Sequence, residues 1–287
     1  MRERRLSAEI IQSYENHLRQ EEKASGTSEK YLRDVKRFGA WLDGRTVTKE
    51  AAAGWREHLA AQGYSPATVN SMLAALNCLF RFLAWEECRV KFLKIQRRMF
   101  REPDRELTRP EYDRLLAAAQ AAGLERLALL METICATGVR VSEVKYFTVE
   151  SARRGRAEIR LKGKIRTILL PNKLCRKLLK YAKKQKTVSG EIFLTRNGTS
   201  LSRRQIWAEL KQLCRRAGVS PSKVFPHNLR HLFATTFYKA CKDIVRLADV
   251  LGHSSIETTR LYLVTTGTEH IRLLEKLGLV LSSKSVF

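Results

Sequence analysis

The chain has 287 residues, enough for two ordinary domains each with its own core. Hydrophobic residues make up 44% of it, which excludes an intrinsically disordered chain. Its 54 lysines and arginines against 29 acidic residues leave a formal net charge of +25. Nucleic acid is the commonest partner for such a field, although a ribosomal or anionic-membrane partner fits the charge equally.

From the N-terminus the pattern reads as helix after helix. Leu6, Ile10, Ile11, Tyr14 and Leu18 recur at helical spacing, as do Tyr31, Leu32, Val35, Phe38 and Leu42. A weaker third helix carries Trp55 and Leu59 and stops at Gly63. Ser65 and Pro66 then open a fourth, with serine as N-cap and proline in the first turn. Its stripe of Val69, Met72, Leu73, Leu76, Phe80 and Leu83 reads as core. Residues 1–96 therefore form a helical domain of about four helices. A basic stretch over 97–104 reads as an interdomain linker, and the second domain runs over 105–287.

That domain starts on a capping box, Thr108 with Glu111. It is mostly helical with one β interlude. Two apolar-rich runs, Ala157–Leu161 and Ile165–Leu170, flank Gly163 as a hairpin that Pro171 ends. Glu191–Thr195 is a candidate third strand, and Ser202 with Gln205 caps another helix. The fold class is thus mainly α with a small antiparallel β-sheet. No apolar run is long enough to span a bilayer and no signal peptide precedes the first helix. The six cysteines are scattered without a C-x-x-C pair, so neither a zinc site nor a disulfide framework is expected. Reduced thiols imply a cytoplasmic location.

Four clusters carry residues suited to chemistry. In Thr137-Gly138-Val139-Arg140-Val141-Ser142-Glu143 a helix ends at glycine and delivers an arginine, with a glutamate three residues on that could fix it. Taken alone, a surface ion pair is the commoner explanation of that pair. Lys162-Gly163-Lys164 sits at the hairpin tip, where a solvated turn is the commoner fate. His227 and Arg230 share one helix face, able to bind one phosphate together, while His231 points elsewhere and reads as structural. The last is Leu251-Gly252-His253-Ser254-Ser255, followed by Tyr262. A lone tyrosine in an apolar setting is ordinarily core, and residues 243–263 superficially resemble a helix-turn-helix DNA reader. No histidine spacing supports a metal.

In this order the clusters resemble the tyrosine recombinase (phage integrase) family, including its two-domain Xer-type members. The T-G-x-R-x-S-E stretch matches the family's first catalytic arginine at Arg140 and its supporting acid at Glu143. The K-G-K tip matches the hairpin lysine, H-x-x-R falls at His227 and Arg230, and L-G-H-S-S places the second histidine at His253. The nucleophile falls nine residues later, at Tyr262. The hairpin is one residue shorter than the family's G-K-G-x-K-x-R pattern, so Lys162 is the better lysine and Lys164 the alternative. The first domain looks like the family's core-binding domain, and the second like its catalytic domain. The chain lacks the extra arm-binding domain of larger integrases.

The resemblance implies a site-specific DNA recombinase working through a covalent 3′-phosphotyrosyl intermediate, with no cofactor and no metal. Arg140 and Arg230 would stabilise charge on the phosphate in the transition state, His227 would accept the tyrosine proton, His253 would hydrogen-bond the phosphate and Lys162 would protonate the departing 5′-oxygen. It further implies double-stranded DNA as partner, clamped between the two domains, and a homo-tetramer on paired sites, with accessory recombination factors as further candidates. The apolar tail with Ile271, Leu273, Leu274, Leu277, Leu279 and Val280 would be a helix donated to a neighbour or docked on its own domain, with Gly278 near its end. Integration or excision of a mobile element and Xer-type dimer resolution are alternative roles. A DNA-binding protein of the same fold without catalysis and a metal-dependent nuclease are the rival classes.

Overall fold

The computed structural model describes residues 4–95, 105–161, 164–263 and 267–277. The basic stretch read as a linker lies outside them, as do Lys162 and Gly163 at the hairpin tip. The chain divides into two compact units, Met1–Arg97 and Arg98–Phe287.

The first unit holds helices α1 (Ala8–Gln20), α2 (Ser25–Leu42), α3 (Lys49–Ala61) and α4 (Pro66–Phe82). Ser7, Thr48 and Ser65 each accept a backbone N–H with the side-chain oxygen, satisfying a donor that the first helical turn leaves unpaired. The helices bury one stripe each. Tyr14 and Leu18 from α1, Val35 and Phe38 from α2, Trp55 and Leu59 from α3 and Leu73, Leu76 and Phe80 from α4 fill one core.

The second unit begins with α5 (Arg109–Ala121), whose capping box is closed by Thr108 and Glu111, and α6 (Glu125–Thr137). A 3-10 helix, Val141–Tyr146, and the short α7 (Val149–Arg154) lead into the hairpin. Strands β1 (Arg156–Leu161) and β2 (Lys164–Leu169) pair antiparallel from Arg156↔Leu169 to Leu161↔Lys164. Then come α8 (Asn172–Lys184), α9 (Arg203–Ala217), α10 (Pro226–Cys241), α11 (Ile244–Leu251), α12 (Ile256–Arg260) and α13 (Gly267–Lys276). Helices α6 and α10 pack on one another, as do α5 with α9 and α7 with α8.

The expected third strand over Glu191–Thr195 does not form; among the described residues the sheet has two strands. That segment makes isolated bridges instead, Thr148↔Glu191 and Leu194↔Ser200. Val149 N–H reaches the Gly190 carbonyl and Ile192 N–H the Phe147 carbonyl, after which Ile192 and Phe193 turn into the core. Burying those two side chains outweighs extending a ladder. All six cysteines are free thiols. Among the described residues no helix is long and apolar enough to cross a membrane, and no cluster of three His, Cys, Asp or Glu could hold a metal ion.

Candidate active site

The site is assembled where α6, the 3-10 helix, β2, α10, α11 and α12 meet. Helix α6 ends because Gly138 takes a left-handed conformation, φ +63°. A side chain there would also run into the Phe233 ring of α10. The glycine therefore lets the end of α6 press against α10, and its carbonyl accepts a hydrogen bond from Arg230 Nη1. Two residues on, Arg140 opens the 3-10 helix.

Glu143 is the hub of the cationic cluster. Its buried carboxylate accepts the Arg140 backbone N–H at 2.9 Å, Arg140 Nη1 at 3.0 Å and Arg166 Nη1 at 3.2 Å. Arg166 projects from β2 and donates its Nη2 to the Val250 carbonyl at 2.7 Å. Its Nε is buried without a hydrogen-bond partner among the described residues. Burial, opposed by Glu143 and reinforced by Arg230 and Arg140, pulls the Arg166 guanidinium down to about 10.

Arg230, 2% exposed on α10, is held by backbone and side chain alike. Besides Gly138, it donates Nη2 to the Leu251 carbonyl at 2.9 Å and to His253 Nε2 at 2.9 Å, and Nε to the Tyr262 hydroxyl at 3.3 Å. Burial lowers its pKa below the usual arginine value. A guanidinium fixed by carbonyls needs little reorganisation when negative charge develops nearby, which is the basis of strong electrostatic stabilisation. Among the described residues, Glu143 is the one carboxylate ion-paired in this cluster of three guanidiniums, to Arg140 and Arg166, so the cluster has positive charge to spare for an anion.

His253 follows Gly252, the left-handed cap of α11 at φ +64°. A side chain at Gly252 would strike the stem of Arg166, so only glycine lets the two segments approach. His253 Nδ1 lies 2.9 Å from Thr259 Oγ1. Burial first, then the guanidiniums of Arg230, Arg140 and Arg166 and the ring of His227, push His253 down to about 4. The imidazole is thus neutral near pH 7.

Tyr262 sits in the turn after α12, its N–H bonded to the Thr259 carbonyl at 2.9 Å. It is buried with Ala234, Leu247 and Leu251. Its ring is surrounded by three imidazoles, with centroids at 5.5 Å for His227, 5.4 Å for His231 and 5.6 Å for His253.

The structure therefore brings Arg140, Glu143, His227, Arg230, His253 and Tyr262 into one cluster. Lys162 lies outside the described residues, and Lys164 is placed by its backbone in β2. His231, read as structural and off the His227–Arg230 face, is buried and its ring packs beside that of Tyr262. The helix-turn-helix likeness fails, since α12 has only five residues and buries Thr259. Arg166 and Thr259 were not foreseen. For Arg166 a signal existed, because the K-x-R end of the hairpin pattern falls on Lys164, Ile165 and Arg166. For Thr259 the sequence offers none.

Comparison with known proteins shows the family. The phage integrase family matches residues 105–268, and the phage integrase N-terminal SAM-like domain matches residues 11–87. The chain belongs to the phage integrase family. Members of this tyrosine recombinase family cleave and rejoin DNA strands. Tyrosine recombinase XerA of Pyrococcus furiosus is 29% identical, the match covering 98% of each chain. Tyrosine recombinase XerA of Thermococcus kodakarensis is 31% identical over 92% of this chain and 93% of its own. The crystal structure of a lambda integrase tetramer bound to a Holliday junction has the same fold, with TM-score 0.72 and 19% identity, covering 88% of this chain and 76% of that one.

Proposed function

We propose that this recombinase opens a DNA phosphodiester with Tyr262, and that the cluster around Glu143 binds the phosphate under attack. The observation that carries this reading is the Tyr262 hydroxyl on Arg230 Nε, 3.3 Å apart, beside the Arg140 and Arg166 guanidiniums that share the Glu143 carboxylate. The Tyr262 oxygen forms a bond to phosphorus, and the bond to the 5′-oxygen breaks. The tyrosine proton passes to His227, and the departing 5′-oxygen takes a proton from Lys162. Arg140 and Arg230 hold the non-bridging oxygens as charge builds there, and His253 hydrogen-bonds the phosphate. The product is a 3′-phosphotyrosyl link and a free 5′-hydroxyl, and reversal onto another strand reseals the DNA.

Double-stranded DNA is the substrate, and the +25 charge gives affinity through phosphate contacts with a steep salt dependence. A homo-tetramer on paired sites, aided by accessory factors in a cytoplasmic setting, completes the reading. Ile271, Leu274 and Leu277 on and just beyond α13 stay exposed, which favours donation of this helix to a neighbour over docking on its own domain. Of the biological roles, the near full-length match to XerA relatives favours Xer-type dimer resolution over integration of a mobile element. The intact Arg140, His227, Arg230, His253 and Tyr262 argue against a catalytically silent DNA binder.

The test is a nicked duplex carrying the site footprinted in the DNA flanking the chain's own gene. Wild-type protein should give a protease-sensitive shifted band in the presence of chelator. A Tyr262→Phe protein that still formed the band would overturn the assignment.

A further inference from the structure

The hydrogen bonds of His253 fix where its proton sits. A guanidinium donates and cannot accept, so Arg230 Nη2 at 2.9 Å requires a bare Nε2. With the ring neutral, the remaining proton is on Nδ1 and is donated to Thr259 Oγ1 at 2.9 Å. This is the wrong tautomer for the role given to His253. To donate to a phosphate oxygen, the imidazole needs its hydrogen on Nε2, the nitrogen facing Arg230 and Tyr262.

Thr259 is fully buried and its hydroxyl has no other hydrogen bond among the described residues. A hydroxyl is both donor and acceptor, so by rotating it can serve either form of the ring. A carboxylate or carbonyl at that place would lock the hydrogen on Nδ1, and an alkyl group would leave Nδ1 unpaired in a buried setting.

Resting on the phosphate-binding reading above, we infer that Thr259 is a positioning residue that lets His253 exchange tautomers as the phosphate arrives. In the free chain the hydroxyl accepts from Nδ1–H while Nε2 accepts from Arg230. With a phosphate bound, the Arg230 guanidinium shifts as a unit so that the Nη2 hydrogen facing Nε2 meets the phosphate. Solvent water takes the proton from Nδ1 and supplies one to Nε2, with no change in the ring's net charge, and Thr259 then donates to Nδ1. The histidine becomes a phosphate donor without carrying the positive charge that its three arginine neighbours oppose.

The experiment uses the full chain labelled with 15N in histidine and arginine. Two-bond 1H–15N correlation at pH 7.5 reads the His253 tautomer, assigned by its loss in His253→Gln, with inorganic phosphate titrated as the probe. Wild type and Thr259→Ser should show Nδ1–H without phosphate and Nε2–H with it. Thr259→Val should lose that phosphate-driven exchange. The inference is overturned if free wild type already shows Nε2–H, if phosphate leaves the wild-type tautomer unchanged, or if the valine variant exchanges as wild type does. Should the valine variant fail to fold, the wild-type and serine spectra decide alone. Arginine side-chain signals separate the two levels: phosphate that shifts Arg230 without changing His253 sinks this inference alone, and phosphate that shifts neither sinks the site reading beneath it.

Discussion

Arg230 donates its Nε hydrogen to the Tyr262 hydroxyl across 3.3 Å, joining α10 to the turn after α12. The same guanidinium spans the carbonyls of Gly138 and Leu251, so one side chain ties the end of α6, the end of α11 and the candidate nucleophile together. Arg230→Lys keeps a charge but cannot reproduce that fork. Adduct formation on a nicked site should fall by about 10²- to 10³-fold, the usual loss for a preorganised donor. The unfolding free energy should also drop by about 1–3 kcal/mol, because a buried carbonyl loses its partner. Single-turnover adduct rates and urea unfolding measure the two effects, and a lysine variant with wild-type rate would refute the first.

Gly252 combines a left-handed backbone with close approach to Arg166, whereas Gly218 has φ +59° with open space around it. Both glycine-to-alanine changes incur left-handed strain of about 1 kcal/mol. Gly252→Ala adds displacement of the Arg166 stem, so it should cost at least about 1 kcal/mol more than Gly218→Ala in urea unfolding. It should also slow adduct formation while Gly218→Ala does not. Equal costs at the two positions would show that the close approach is unimportant.

His253 makes stability depend on pH. Its folded value, about 4, lies below the ordinary histidine value of 6.5. The unfolded chain therefore gains this proton first as pH falls. The contribution of the neutral ring is complete above pH 6.5 and is lost as pH drops from 6.5 towards 4, by about 1–2 kcal/mol once solvent screening of the part-exposed ring is allowed for. Unfolding free energies of wild type minus His253→Gln, followed from pH 7.5 to 4.5, should decline in that window. A difference that stayed flat would contradict the neutral, half-buried imidazole.

Among the described residues, Glu143 is the carboxylate paired with Arg140 and Arg166, and Arg230 lies close by. Glu143→Gln leaves buried positive charge uncompensated, a loss of about 3–5 kcal/mol by comparison with other broken buried pairs. An anion that enters the cluster should restore part of it. Sulfate ought to raise the variant's melting temperature more than chloride of equal ionic strength, and more than it raises that of Glu57→Gln, whose exposed carboxylate faces Arg56 at 3.9 Å. Identical responses of the two variants would argue against an anion site.

Much of this protein was legible from local pattern. The four apolar stripes of the first unit, the serine and threonine caps and the pairing of two strands as a hairpin depend on neighbours within a few positions, and they form where the sequence places them. The order of the arginine, histidine and tyrosine motifs was enough to indicate the family. Tertiary packing alone decided the rest. Arg230 meets a carbonyl 92 positions away because α6 and α10 pack, and Arg166 meets Glu143 because β1, which packs on the 3-10 helix, pairs with the β2 strand that carries it. His231 joins the tyrosine, and Glu191–Thr195 turns inward instead of pairing, because burial of Tyr262, Ile192 and Phe193 sets where those segments lie. Periodicity and caps describe which face of a segment is buried; they carry no record of what lies against it. That is why Tyr262 could be picked out by its spacing from His253, while its contact with Arg230 and the hydroxyl behind His253 came only from the fold.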